Sequence, residues 1–220
     1  TILTHSDSRL PLAAVIVSAR GGLSCESGDV PNGSFDLLAS MFLTSNASWS
    51  KSDFIRYLRL HGIQAAPFSG KNSFGIRFSF LSDRVKQASA ALRAILCNPR
   101  LSEEDFRVEV EDALFDLKKI YENGWSLSSL KFKKLFFEGT PYENPGEGTP
   151  ESLSALRLED LERLRRQYLI PSNMIISLYG DLTRGDIESF ISWLREIPAA
   201  PVPEIPSFTF RPLKCPPGGC

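Results

Sequence analysis

The sequence is poor in the residues that most often hold transition metals. Its 220 residues include two histidines, His5 and His61, and four cysteines. The histidines are far apart, and Cys25, Cys97, Cys215 and Cys220 form no paired zinc pattern. An excess of either charge is missing as well. Twenty-five Lys and Arg against 26 Asp and Glu leave a net charge of −1. That balance gives no bulk reason to expect nucleic acid or an anionic membrane as a partner. Long apolar runs are absent too; "LPLAAVIV" is far too short to span a bilayer. No signal-peptide pattern opens the sequence. The abrupt start at Thr1 reads as that of a segment taken from a longer chain.

What is present is ordinary for a globular domain: 42% apolar and 23% charged residues, enough to bury a core without staples. "LPLAAVIVSARGG" reads as a buried strand ending in a Gly-Gly turn. A loop leads to a first helix, with Asn32 or Ser34 available as its cap. "SKSDFIRYLRLHG" is a second helix, capped by Ser50 or Ser52 and stopped by Gly62. "IQAAPFSGKNSFGIRFSFL" is a hairpin whose second arm alternates, placing Phe74, Ile76, Phe78 and Phe80 on the core face. "SDRVKQASAALRAILCNP" is a capped helix ended by Pro99. "LSEEDFRVEVEDALFDLKKIYEN" is a long helix with Ser102 as cap and acids in its first turn. "WSLSSLKFKKLFFEG" stays helical to Gly139. "SLSALRLEDLERLRRQYL" is one further helix, "NMIISLYG" a strand and "TRGDIESFISWLREI" a last helix. The order argues for an α+β domain over residues 1–198. Residues 199–220 read as a proline-rich linker in which "CPPGGC" either closes a small disulfide or is disordered, composition favouring the second.

The stretch "GSFDLLASMFLTSN" carries the chemical question. Asp36, Ala39 and Ser40 stand at i, i+3 and i+4 and share one helix face. The surrounding motifs resemble those of the insulinase-like (pitrilysin, mitochondrial processing peptidase) zinc metallopeptidases. The resemblance runs from about Leu10 to Pro198. It rests on "LPLAAVIVSARGG", "LRLHGIQAAPFSGKNSFGIRF", "LCNPRLSEEDFRVEVEDAL", "TPYENPGEGTPESLSALRLEDL" and "YLIPSNMIISLYGDL", taken in their order and spacing. It implies one mostly antiparallel sheet with helices packed on one face. Active members of that family carry His-x-x-Glu-His on the first helix. Here the first histidine falls at Asp36, the glutamate at Ala39 and the second histidine at Ser40. The family's distal glutamate falls at Asp116, and its second acidic position at Glu109.

Catalytic zinc needs about three protein ligands, an open position for water and a base. A serine hydroxyl is a poor ligand and an alanine is no base, so binding and proton transfer fail separately. The resemblance thus implies a domain that binds no zinc of its own, with zinc expected in an active partner domain or homologous subunit. The ordinary readings of these residues agree. Asp36 reads as a partly solvated first-turn residue, Glu109 and Asp116 as members of an acidic helix face, and His61 as a residue at a helix C-terminus. Trp49, Trp125 and Trp193 read as packing anchors.

Active relatives hold peptide as an added strand along the hairpin edge. The matching stretch is Ala66, Pro67, Phe68 and Ser69, where Pro67 lacks the N–H that a ladder uses. The leading expectation is a noncatalytic domain helping to enclose a peptide chamber. The alternatives are an inactive subunit of a processing-peptidase-like pair, a hard-cation site built from Asp36, Glu109 and Asp116, and a binding module acting through its sheet edge.

Overall fold

A computed structural model of the chain describes residues 1–208; the expectation for Cys215 and Cys220 lies outside them. Five strands form one sheet, β1 (Ile2–Ser6), β2 (Leu12–Arg20), β3 (Gln64–Ser69), β4 (Ser73–Leu81) and β5 (Met174–Gly180). Their spatial order is β1-β5-β2-β4-β3. Every pairing is antiparallel except β1 with β5. The expected α+β class and mostly antiparallel sheet are what the chain adopts.

Period-2 alternation decides which face is covered. Ala13, Val15, Val17 and Ala19 of β2 are buried, as are Phe74, Ile76, Phe78 and Phe80 of β4 and Met174, Ile176 and Leu178 of β5. Arg77, Ile175 and Tyr179, on the opposite face, stay exposed. The helices pack on the first face. They are α1 (Ser34–Ser40), α2 (Lys51–Leu60), α3 (Val85–Cys97), α4 (Glu103–Glu122), α5 (Gly124–Phe136), α6 (Pro150–Ala155), α7 (Leu158–Tyr168) and α8 (Arg184–Ile191). Asn173 locks β5 to β2: its Nδ2 donates to the carbonyls of Arg20 and Tyr168, both at 2.9 Å.

Several local expectations are corrected. The segment containing His5 is a strand, β1, which the alternation did not announce because all five of its residues are exposed. Its backbone pairs only with the edge of β5, so no burial pattern was written into it. The helix expected over "SLSALRLEDLERLRRQYL" is two, because Leu156 and Arg157 are extended. The second starts afresh where Asp160 accepts the Arg157 N–H at 3.2 Å. Ser82 does not cap α3; its hydroxyl bonds Asp181 at 3.1 Å, and a 3-10 turn leads in instead. Ser50 and Ser102 do cap α2 and α4, accepting the N–H groups of Asp53 and Asp105.

Trp49 stacks near Phe54 and Tyr57, and buried Trp193 donates to Ser89 at 2.9 Å. Trp125 is no anchor: it is 85% exposed on α5, a helix with no buried residue. Residues 199–208 carry no helix or strand. Within them Ala200 accepts a bond from Ser172, and Phe208 lies edge-on to Tyr142 at 4.9 Å.

Candidate functional site

The first helix is placed by a residue that its own sequence does not advertise. Neither Asn32 nor Ser34 caps α1; the N-cap is Gly33, in the left-handed region at φ 88°. The orphan N–H groups instead find Glu26, seven residues upstream. Its carboxylate accepts from Gly33 N at 2.8 Å, Phe35 N at 2.9 Å and Asn32 Nδ2 at 3.0 Å. Such caps satisfy donors that a helix cannot pair internally. Glu26 is only 4% exposed. Burial pushes its pKa up to about 7 in spite of those three donors, with the Asp36 charge adding to the rise.

Asn32 also donates to the Pro145 carbonyl at 2.8 Å, which ties α1 to the loop before α6. There Gly33 and Gly148 meet back to back, both at positive φ. A Cβ on Gly33 would lie 2.8 Å from the Gly148 Cα, so this joint requires glycine. Gly148 lies in "TPYENPGEGTPESLSALRLEDL", so one stretch that carried the resemblance supplies half of this contact.

On this frame the three helix-face positions diverge. Asp36 is half-buried in the first turn of α1. Burial, with the Glu147 charge, pushes its pKa up to about 6, so desolvation outweighs the favourable helix dipole there. Ala39 is 2% exposed and packs in the hydrophobic core. The Ser40 hydroxyl donates to the Leu37 carbonyl one turn back at 2.9 Å. On α4, Glu109 is held by Lys51 of α2 at 2.8 Å, and exposed Asp116 pairs with Lys119 at 2.7 Å.

Although α1 packs against α4, α7 and β3, no three His, Cys, Asp or Glu side chains converge as a metal cluster among the described residues. The residues present do not fit a catalytic zinc: one position is a methyl in the core, one a hydroxyl spent on the backbone, and two acids are matched to lysines. They do not assemble the hard-cation site either. The histidines stand elsewhere. His5 stacks on Tyr179 at 5.4 Å, and His61 ends α2 with its ring edge-on to Tyr57 at 4.6 Å.

Ala66, Pro67, Phe68 and Ser69 lie in β3, the outer strand next to β4. An edge is where a strand tolerates a residue without an N–H. Glu26 was missed because its partners lie across a loop, beyond the adjacent-residue spacing by which caps are read.

No family model matches the sequence. The non-peptidase homolog YmxG of Helicobacter pylori (strain ATCC 700392 / 26695) is 22% identical over 184 residues, covering 82% of this chain and 42% of that protein. Among solved structures, the peptidase M16 inactive domain from Pseudomonas fluorescens superposes with a TM-score of 0.85 at 19% identity, covering 92% of this chain and 50% of that one. A protease from Helicobacter pylori gives 0.84 at 14% identity, covering 94% and 51%. The chain thus spans about half the length of the proteins it matches. It has the fold of the insulinase-like (M16) peptidases.

Proposed function

We propose that this chain is a noncatalytic domain of an insulinase-like zinc peptidase, one wall of a peptide-enclosing chamber whose zinc and chemistry reside in a partner domain of the same fold. The observation that carries this reading is Ala39, a core methyl where active relatives place the general base. The engaged states of Ser40, Glu109 and Asp116 agree with it. The words "inactive domain" and "non-peptidase homolog" in the relatives' names favour the same conclusion.

A partner domain is supported by the relatives' double length and by an uncovered surface. On α5, Trp125, Phe132 and Phe136 recur at i, i+7 and i+11 and form an exposed aromatic face, with Leu135 beside it. Half-buried Leu127 and Leu130 lie on the opposite face, toward the domain. Apolar exposure of this extent marks an interaction surface, and a domain-sized neighbour suits it. In this reading residues 1–198 are the wall and 199–220 the connection to a neighbouring domain. Peptide, where it touches this wall, would add along β3, with Pro67 withholding one ladder donor.

The test is metal content by elemental mass spectrometry after zinc incubation and gel filtration, followed by co-purification with an M16 domain carrying an intact His-x-x-Glu-His. Zinc below about a tenth of an equivalent, with peptidase activity appearing only in the pair, is the expected result. Near-stoichiometric zinc lost on Asp36→Ala would overturn it.

A further inference from the structure

Between the end of α1, the loop at Ser45 and Asn46, the loop at Pro99–Leu101 and α7 lies a narrow cleft, remote in role from the degenerate motif. Leu38, Met41, Phe42, Ile95, Pro99 and Leu101 form its apolar wall, and its other lining residues are Ser45, Asn46, Arg100 and Arg165. No carboxylate lines it.

Ser45 already donates to Asp105, but among the described residues the Asn46 side-chain amide and the two arginines lack acceptors. Asn46 is 6% exposed, and its Oδ1 accepts from Ser48 N at 3.0 Å and Trp49 N at 3.1 Å. Because both partners are N–H donors, the amide orientation is fixed and the other terminus must be nitrogen. That buried Nδ2 has no hydrogen-bond partner. Leaving such a donor unmade carries a desolvation penalty. Arg165 is half-buried and, among the described residues, makes no ion pair and no side-chain hydrogen bond. Burial lowers its pKa, and the Arg166 charge lowers it further, while the Glu162 carboxylate, which makes no ion pair with it, acts in the opposite direction. Arg100, exposed at the mouth, has no acidic partner among the described residues either.

The nearby acids are committed elsewhere. Asp105 is bonded by Ser45 and Ser102, and Glu162 is paired with Arg166 at 3.3 Å. The free volume is about 10 Å³, the space of a single water-sized sphere.

From an orphaned buried amide donor and two unmatched guanidinium groups around a one-atom space, we infer that this cleft binds one small monovalent inorganic anion of the chloride class. A phosphate or a nucleotide is too large for it. An ion of chloride's size there would accept from Asn46 Nδ2 and offset the Arg165 charge. The ion would pin the chain after α1 to α7 and to the loop between α3 and α4.

The test compares thermal unfolding in sodium chloride and in sodium gluconate at constant ionic strength, since gluconate is too bulky to enter. Binding predicts a midpoint rising by about 3 °C or more per tenfold of chloride once the site is filling. It also predicts chloride-35 line broadening that Arg165→Gln abolishes. Asn46→Asp supplies a second arm. It keeps the acceptor for Ser48 and Trp49 and places a carboxylate oxygen where the orphan donor stood. The variant is expected to reach, in gluconate, the midpoint of the parent in chloride and to stop responding to chloride. Equal midpoints in the two salts, with chloride-35 lines unchanged by the parent protein, would sink the proposal and leave the cleft to water.

Discussion

Ala39 and its neighbours on α1 share one short helix but meet different surroundings. The Ala39 methyl is in the core, so Ala39→Glu forces a carboxylate into apolar surroundings. Denaturant unfolding should show a loss of at least about 3 kcal/mol; an unchanged midpoint would mean that the side chain has a route to solvent. Asp36 gives the opposite case. Its pKa lies near 6 in the folded chain against an ordinary value of 3.8. The folded state therefore holds its proton more tightly, and the stability this brings is complete below pH 3.8 and lost as pH rises through 6. Asp36→Asn removes that loss, so unfolding at pH 7.5 should show the variant more stable by roughly 1 kcal/mol or more, with a flatter profile between pH 4 and 7. Glu26, raised to about 7 from 4.5, slopes the same way across its own window. It also holds two backbone donors. Glu26→Gln swaps one acceptor oxygen for a donor facing an N–H, and should cost about 1–3 kcal/mol near pH 4, the cost shrinking as pH rises through 7 and the wild-type carboxylate is forced to ionise.

At the scale of elements, α1 is seven residues long and tightens at once into a 3-10 turn at Met41–Leu43. So short a helix is marginal alone; it is held by the remote Glu26 cap at one end and by core contacts of Phe35, Leu37 and Leu38 along its length. The adjoining pair α4 and α5 differs in kind. α4 buries Phe106 and Leu117, whereas α5 buries nothing and carries Lys131, Lys133 and Lys134 with no acid. Trp125→Ser with Phe132→Ser should leave the unfolding midpoint of the isolated chain within about 2 °C, because surface changes rarely move stability. The same double variant should weaken association with an M16 partner domain at least about tenfold in a sedimentation assay, given the weight of aromatic anchors in interfaces. Undiminished association would place the partner on another face.

For the whole molecule, one covered and one open sheet face define what kind of object this is. The buried face carries the Phe and Val rows of β2, β4 and β5, and the helices stand on it. The sheet's two edges differ. β1 forms one edge through a parallel pairing with β5, and β3 forms the other through an antiparallel pairing with β4. The edge strand β3 and the exposed aromatic face of α5 are the surfaces on which the proposed partner domain is to be sought. The zinc measurement and the paired assay decide this at the same scale.

The sequence by itself determined the elements whose signals are local. The β3–β4 hairpin comes from alternation around a Gly-containing turn, the caps of α2 and α4 from serines placed three residues before the N–H groups they accept, and the core row Phe74 to Phe80 from period 2. It also settled the residue chemistry of the motif, since no fold turns alanine into a base. Tertiary structure alone decided the rest. Whether Asp36 is solvated, which lysines hold Glu109 and Asp116, that Glu26 caps α1, and that Asn46 and Arg165 share a cleft all depend on how the folded chain brings side chains together. β1 escaped notice and Trp125 was misplaced for the same reason: an exposed strand and an exposed aromatic leave no periodic trace, because burial is what writes periodicity into a sequence.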